Sequence, residues 1–131
     1  MQLLDHVSIT VRDLARAKPF YKAVMEALGA VLAYERDDAI GFGERNRPHD
    51  DGHSYISVYA SPRATPDARR HVCFRAASED MVRAFHAAGL ECGGADEGSP
   101  GLRDYHRGYY AAFLRDPEGN KIEAVFHRAT P

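Results

Sequence analysis

The feature that most restricts the fold of this 131-residue chain is a repeat. His6-Val7 recurs as His71-Val72, 65 residues on, and Phe20 recurs as Phe85 at the same offset. Self-similarity at one spacing marks a duplicated supersecondary unit. The run His6 to Val11 sets Val7, Ile9 and Val11 against His6, Ser8 and Thr10, and His71 to Ala76 sets Val72, Phe74 and Ala76 against His71, Cys73 and Arg75. Such alternation belongs to a strand with one buried face. A helix follows each run. Asp13 caps the first, which carries Leu14, Ala17, Phe20, Tyr21, Val24 and Leu28 at helical spacing and stops at Gly29. Pro19 lies beyond its first turn and is expected to kink it or delay its regular start. Ser78 caps the second, with Met81, Val82, Phe85 and Ala88 on one face and Gly89 as its end.

The first unit continues with strands at Val31 to Glu35, Ala39 to Phe42 and His53 to Ala60, with a polar loop from Glu44 to Gly52 around Pro48. The second continues with Leu90 to Gly93, a long Gly-rich, charged loop from Gly94 to Gly108, and strands Tyr109 to Arg115 and Lys121 to His127. The turn Asp116-Pro117-Glu118-Gly119-Asn120 joins the last two. The expected fold is therefore α+β, two tandem β-α-β-β-β modules in one domain, residues 1–131. The first module covers about 1–60, a linker 61–70, and the second about 71–128.

Apolar residues make up 44% of the chain, enough for one core. A net charge of −2 without a polybasic run excludes the usual nucleic-acid and anionic-membrane binders. No apolar run nears the roughly 18 residues of a membrane span, and the start reads as no secretion signal, so the cytoplasm is the expected location. Cys73 and Cys92 are read as reduced, structural thiols.

Duplication puts His6 and His71 at equivalent places on equivalent first strands. The closing strands should correspond likewise, which matches Ser57 to Glu123. His6 to Ser57 spans 51 residues and His71 to Glu123 spans 52. Glu123 is a carboxylate in an otherwise apolar strand, where an unpaired charge costs several kcal/mol and a cation would offset it. Two neutral imidazoles and a carboxylate form a standard site for a borderline divalent ion, with positions left for water or substrate. Ser8, Ser57, Tyr55, Tyr59 and Arg75 share the strand faces of these residues and are candidate substrate contacts. So are His106, Tyr109 and Tyr110 in the polar stretch Arg103 to Tyr110, although strand parity leaves open which tyrosine points inward. His49 and His53 read as solvated loop residues outside the site.

The segments D-H-V-S-I-T-V-R-D-L-A-R-A-K-P-F-Y, H-V-C-F and R-D-P-E-G-N-K-I-E resemble the vicinal oxygen chelate superfamily, which includes glyoxalases, bleomycin resistance proteins and dioxygenases. The resemblance implies modules whose sheets curve around a metal, with ligands from the first and last strand of each. His6, His71 and Glu123 match three of those positions. Ser57 stands at the fourth, where glyoxalase I carries a carboxylate, so the ligand set looks more like that of fosfomycin thiol transferases and extradiol dioxygenases. The resemblance also implies one divalent ion (Zn, Ni, Mn or Fe) and Lewis-acid catalysis of lyase, isomerase or thiol-transferase type on a small oxygen-rich substrate. It brings with it glutathione or another thiol as partner, and a homodimer. No catalytic base is assigned. The alternative is a metal-free protein that sequesters a drug or metabolite, as bleomycin-resistance members do.

Overall fold

In the computed structural model, which describes residues 2–129, the first alternating run forms β1 (His6–Val11) and its inward side chains Ile9 and Val11 are buried. Met1, Thr130 and Pro131, the ends of the expected domain, lie outside the described residues. Asp13 then accepts a hydrogen bond from the Arg16 N–H at 3.1 Å and starts α1 (Leu14–Ala27). Pro19 sits inside this helix without delaying its start. It lies on the exposed face, as does Ala15, whose carbonyl loses its helical partner there and can turn to water. β2 (Leu32–Glu35), β3 (Ala39–Gly43) and β4 (Tyr55–Ala60) complete the first module.

The second module repeats the order with β5 (His71–Arg75), α2 (Glu79–Glu91), β6 (Ala95–Arg103), β7 (Tyr109–Arg115) and β8 (Lys121–His127). Ser78 caps α2 by accepting from the Met81 N–H at 3.2 Å. Two expectations fail here. Gly89 does not end α2, which runs on to Glu91 through Leu90, so the segment Leu90 to Gly93 is helix end and turn. A Cβ on Gly89 would stand 2.4 Å from Leu114 Cδ1, so the glycine marks a close approach of helix to sheet. Nor is Gly94 to Gly108 all loop, since Ala95–Arg103 pairs with β7 as an edge strand with register shifts between Asp96 and Gly98 and between Gly98 and Gly101.

Each module makes a four-stranded sheet of the same order, β1-β4-β3-β2 and β5-β8-β7-β6, with the first and last strands parallel. The registers match as well: Ser8 lies opposite Ser57, and Cys73, 65 residues after Ser8, lies opposite Glu123. Ser57 and Glu123 are therefore structural equivalents.

The helices cover one face of the sheets. One continuous apolar cluster joins Phe20 and Val24 of α1, Val82 and Phe85 of α2, Ile56 and Val58 of β4, and Ile122 and Ala124 of β8. Burial of this kind stabilises by about 25 cal/mol per Å². Polar pins cross between the modules. The Arg12 and Asp13 N–H groups both donate to the Glu118 carboxylate at 2.6 Å. Tyr21 donates to the buried Asp116 at 2.6 Å, which also accepts from the N–H groups of Glu118 and Asn120 and from the Asn120 amide. Among the described residues no helix is long and apolar enough to cross a membrane.

Candidate functional site

The sheet faces opposite the helices carry the polar members of the alternating strands, because a period of two puts every other residue there. On β8 this face shows Lys121, Glu123 and Val125, and on β5 it shows His71, Cys73 and Arg75. Glu123 is only 2% exposed. Its Oε1 lies 3.1 Å from His71 Nε2, and its Oε2 accepts from the Tyr109 hydroxyl. Apolar Ala111, Phe113 and Val125 pack around it on the same face. Side-chain oxygens this enclosed need such hydrogen-bond partners.

Cys73, which its sequence context marks only as a structural thiol, lies across the strand pair from Glu123. Burial of its sulfur, and then the Glu123 carboxylate, push its thiol up to about 12, although the residue as a whole keeps solvent contact. Burial and the Glu123 hydrogen bond also raise the Tyr109 phenol, which stays protonated across the neutral range.

His6 stands apart from this pair. Its ring stacks on Tyr55, with centroids 4.9 Å apart, and its Nδ1 lies 2.6 Å from Asp5 Oδ1. A carboxylate on Nδ1 fixes the tautomer with the proton there and leaves Nε2 a free acceptor, the orientation that metal-bound imidazoles have. Asp5 is in turn held by the Asn46 amide at 2.7 Å, and its carboxyl is lowered first by the His6 hydrogen bond and then by that of Asn46. Of the expected trio, then, His71 and Glu123 are in contact, while His6, held by Asp5, does not join them within the 4.8 Å that a shared ion would span.

The other expected contacts divide between the faces. Ser57 is buried and accepts from the Tyr34 hydroxyl at 2.6 Å. The Tyr34 ring lies over Gly41, where a Cβ would come within 2.1 Å of it, so only glycine admits that ring. Arg45 stands over Tyr34 and Tyr55, 4.9 and 5.6 Å from the ring centroids. Ser8, Tyr59 and Arg75 lie on exposed strand positions. Tyr109, with Tyr105, His106 and His127 around its ring, points to Glu123. Tyr110 turns to the helix side, where Arg83 donates to its hydroxyl at 3.0 Å, and so lies away from Glu123.

A second group has no signature in the sequence. Among the described residues, the three His, Cys, Asp or Glu side chains with ligand atoms all within 4.8 Å of one another are Glu44, Asp50 and His53. His53 Nε2 lies 2.7 Å from Asp50 Oδ1, and its Nδ1 3.3 Å from Glu44 Oε2. These residues have no regular spacing, so only the path of the loop brings them together.

Comparison with known proteins places this geometry in a wider set. A family model described as the Glyoxalase/Bleomycin resistance protein/Dioxygenase superfamily matches residues 3–124. The chain is similar to a glyoxalase/bleomycin resistance protein from Albidiferax ferrireducens, at 32% identity and a TM-score of 0.78, over 96% of this chain and 98% of that one. It shares its fold with a glyoxalase/bleomycin resistance protein/dioxygenase family enzyme from Burkholderia phytofirmans (20% identity, TM-score 0.69, over 95% and 98% of the two chains). The fold is also that of the fosfomycin resistance protein FosX from Mesorhizobium loti (16% identity, TM-score 0.64, over 98% and 94%). No curated protein matches the chain.

Proposed function

The chain belongs to the glyoxalase/bleomycin resistance protein/dioxygenase superfamily, and from that premise we propose that it is a divalent-metal-dependent enzyme acting on a small, oxygen-rich substrate. The reaction is of lyase, isomerase or thiol-transferase type, with glutathione or another thiol as the partner in the last case. The carrying observation is the buried Glu123 carboxylate with His71 Nε2 facing its Oε1 at 3.1 Å. A nitrogen and an oxygen donor that meet this closely in an otherwise apolar enclosure fit a borderline divalent ion, and His6, with Nδ1 committed to Asp5, offers Nε2 as a third donor. The ion is Zn, Ni, Mn or Fe, and Ser57, bonded to Tyr34, contributes no anionic fourth ligand.

A dication in this position supplies Lewis-acid polarisation of the substrate's oxygens. The protein's own groups do the rest. Tyr109 holds one oxygen of Glu123, and the other faces His71 Nε2. Because its phenol stays protonated and is given to Glu123, Tyr109 positions that carboxylate and does not act as a base. The Tyr55 ring stacks on His6, and the Phe113 ring lies 6.4 Å from that of His71. The working form in this proposal is a cytoplasmic homodimer.

A second reading is a metal-free protein that sequesters a drug or metabolite. It is favoured by one observation, that His71 and Tyr109 already satisfy Glu123 without an ion. Calorimetric titration of chelator-treated protein with Mn, Ni, Zn and Fe(II) separates the two. The enzyme reading expects about one ion per chain, with binding lost in Glu123→Ala and His71→Ala. Absence of binding to all four ions leaves the sequestering reading in its place.

A further inference from the structure

Residues of β1 and β5 face a shared space at the seam between the modules, and a cavity of about 180 Å³ opens there. That is some six times the roughly 30 Å³ a water molecule takes up in the liquid. Its walls hold Ser8 and Thr10 of β1, Arg70 and His71 at the start of β5, and Asn120 and Lys121 at the start of β8. Two of these six are full cations and two carry hydroxyls, and among the described residues no carboxylate lines the cavity. His71 and Lys121 are register partners, and Lys121 shares its strand face with Glu123 two residues on.

The cations are not spent on carboxylates in the wall. Lys121 Nζ stands 5.1 Å from the centroid of the Phe113 ring, and Arg70 Nη2 donates to the Thr65 carbonyl at 3.2 Å. Asp67 and Glu97 feel Arg70 and Lys121 only among weaker contributions, after their hydrogen bonds to the Arg70 N–H and to Arg115. Asn120 is fixed by giving its amide to Thr10 O at 3.1 Å and to Asp116 Oδ2 at 2.9 Å, so it shapes the wall and holds the turn against β1. Arg70 and Lys121 line the cavity without an ion pair to a carboxylate among the described residues, and Ser8 and Thr10 bring hydroxyls, a donor set that suits an oxyanion. Low-dielectric walls of Ile9 and Val72 strengthen its field.

We propose that this seam cavity is an anion subsite for a carboxylate or phosphate group, with Arg70 and Lys121 supplying the charge and Ser8 and Thr10 the remaining donors. As a substrate subsite it rests on the metal-dependent reading above, and it names the substrate class as an anion whose neighbouring oxygens reach past His71 toward Glu123. As an anion site it stands on the cavity alone.

The test is an amide NMR titration of the full chain with inorganic phosphate, in chelator so that no metal can hold the anion. The expected result is saturable shifts at Ser8 to Thr10 and Arg70 to Val72, with affinity roughly tenfold weaker in K121M and in R70M and kept in K121R. The dispersed spectra of the variants show that they fold. No saturable shift along the seam, or unchanged affinity in both charge-removing variants, overturns the subsite. A parallel Mn titration keeps the two claims apart. Phosphate binding without metal binding supports the anion site and removes the metal reading, and metal binding without phosphate binding does the reverse.

Discussion

At the scale of single residues, Glu123 is the group whose position needs explaining. It is enclosed, charged, and held by one imidazole and one phenol, and those partners stabilise the anion where an aliphatic neighbour would not. Glu123→Gln keeps the shape and removes the charge, so it should fold and lose at least a hundredfold in divalent-ion affinity, within the roughly 10–16 kcal/mol range that whole structural sites contribute. Calorimetry reads this directly. Asp5 acts one step further out, through His6. Asp5→Ala should weaken the ion by about 10- to 100-fold while leaving the thermal midpoint near the wild-type value, and Asp5→Asn should recover part of the loss. Ring-nitrogen NMR shifts of His6 give a second readout, since the proton should leave Nδ1 in the alanine variant. Glu123 stands out in the sequence as a carboxylate in an apolar strand and His71 as the repeat of His6, and the two side chains lie in contact. Asp5 is not, because its role comes from a side-chain contact with His6 and from Asn46, 41 residues away.

At the scale of elements, the helices and seven of the eight strands follow from caps, turn signals and apolar patterning, and the duplication predicts their order. β6 reads as loop because Ala95–Arg103 contains three glycines or prolines and two register shifts, so neither period two nor apolar content survives in it. Only pairing with β7 makes it a strand. The sides on which Tyr109 and Tyr110 fall are set by the pairing of β7 with β8, which puts Tyr109 opposite His127 and Tyr110 opposite Phe126. The turn between β7 and β8 is legible as a reversal, but its larger role is to carry Asp116, which ties α1 to the second module through Tyr21. Asp116→Ala leaves the Glu118 and Asn120 N–H groups without their acceptor and should destabilise the fold by roughly 3 kcal/mol. Tyr21→Phe, which removes one donor of several, should cost about 1 kcal/mol. Urea unfolding of both variants checks the ranking, and equal loss in the two would contradict the placement of Asp116 at the centre of this network.

At the scale of the whole molecule, two modules share one apolar core, and charge on the outside sets how the fold responds to acid. Asp5, Glu35, Asp67, Glu79, Asp96 and Glu97 are all held below their ordinary values, chiefly by hydrogen bonds from His6, Lys18, the Arg70 N–H, Arg128, His86 and Arg115 respectively. A carboxyl depressed in the native state binds fewer protons there than in the unfolded chain. Its contribution is present above the unfolded values of 3.8 for Asp and 4.5 for Glu, and is lost as pH falls through the lower native ones. Unfolding free energy should therefore drop between about pH 5 and pH 3, and a flat profile over that window would contradict these pairings. Function at this scale depends on where an ion settles, because the molecule offers two groups of donors, one at His71 and Glu123 and one at Glu44, Asp50 and His53. Anomalous diffraction from crystals grown with Mn or Zn decides between them. The expected result is one peak about 2.0–2.3 Å from Glu123 Oε1 and His71 Nε2, with His6 Nε2 drawn in as the third donor. A peak only at Glu44, Asp50 and His53, or none within bonding distance of Glu123, would contradict it.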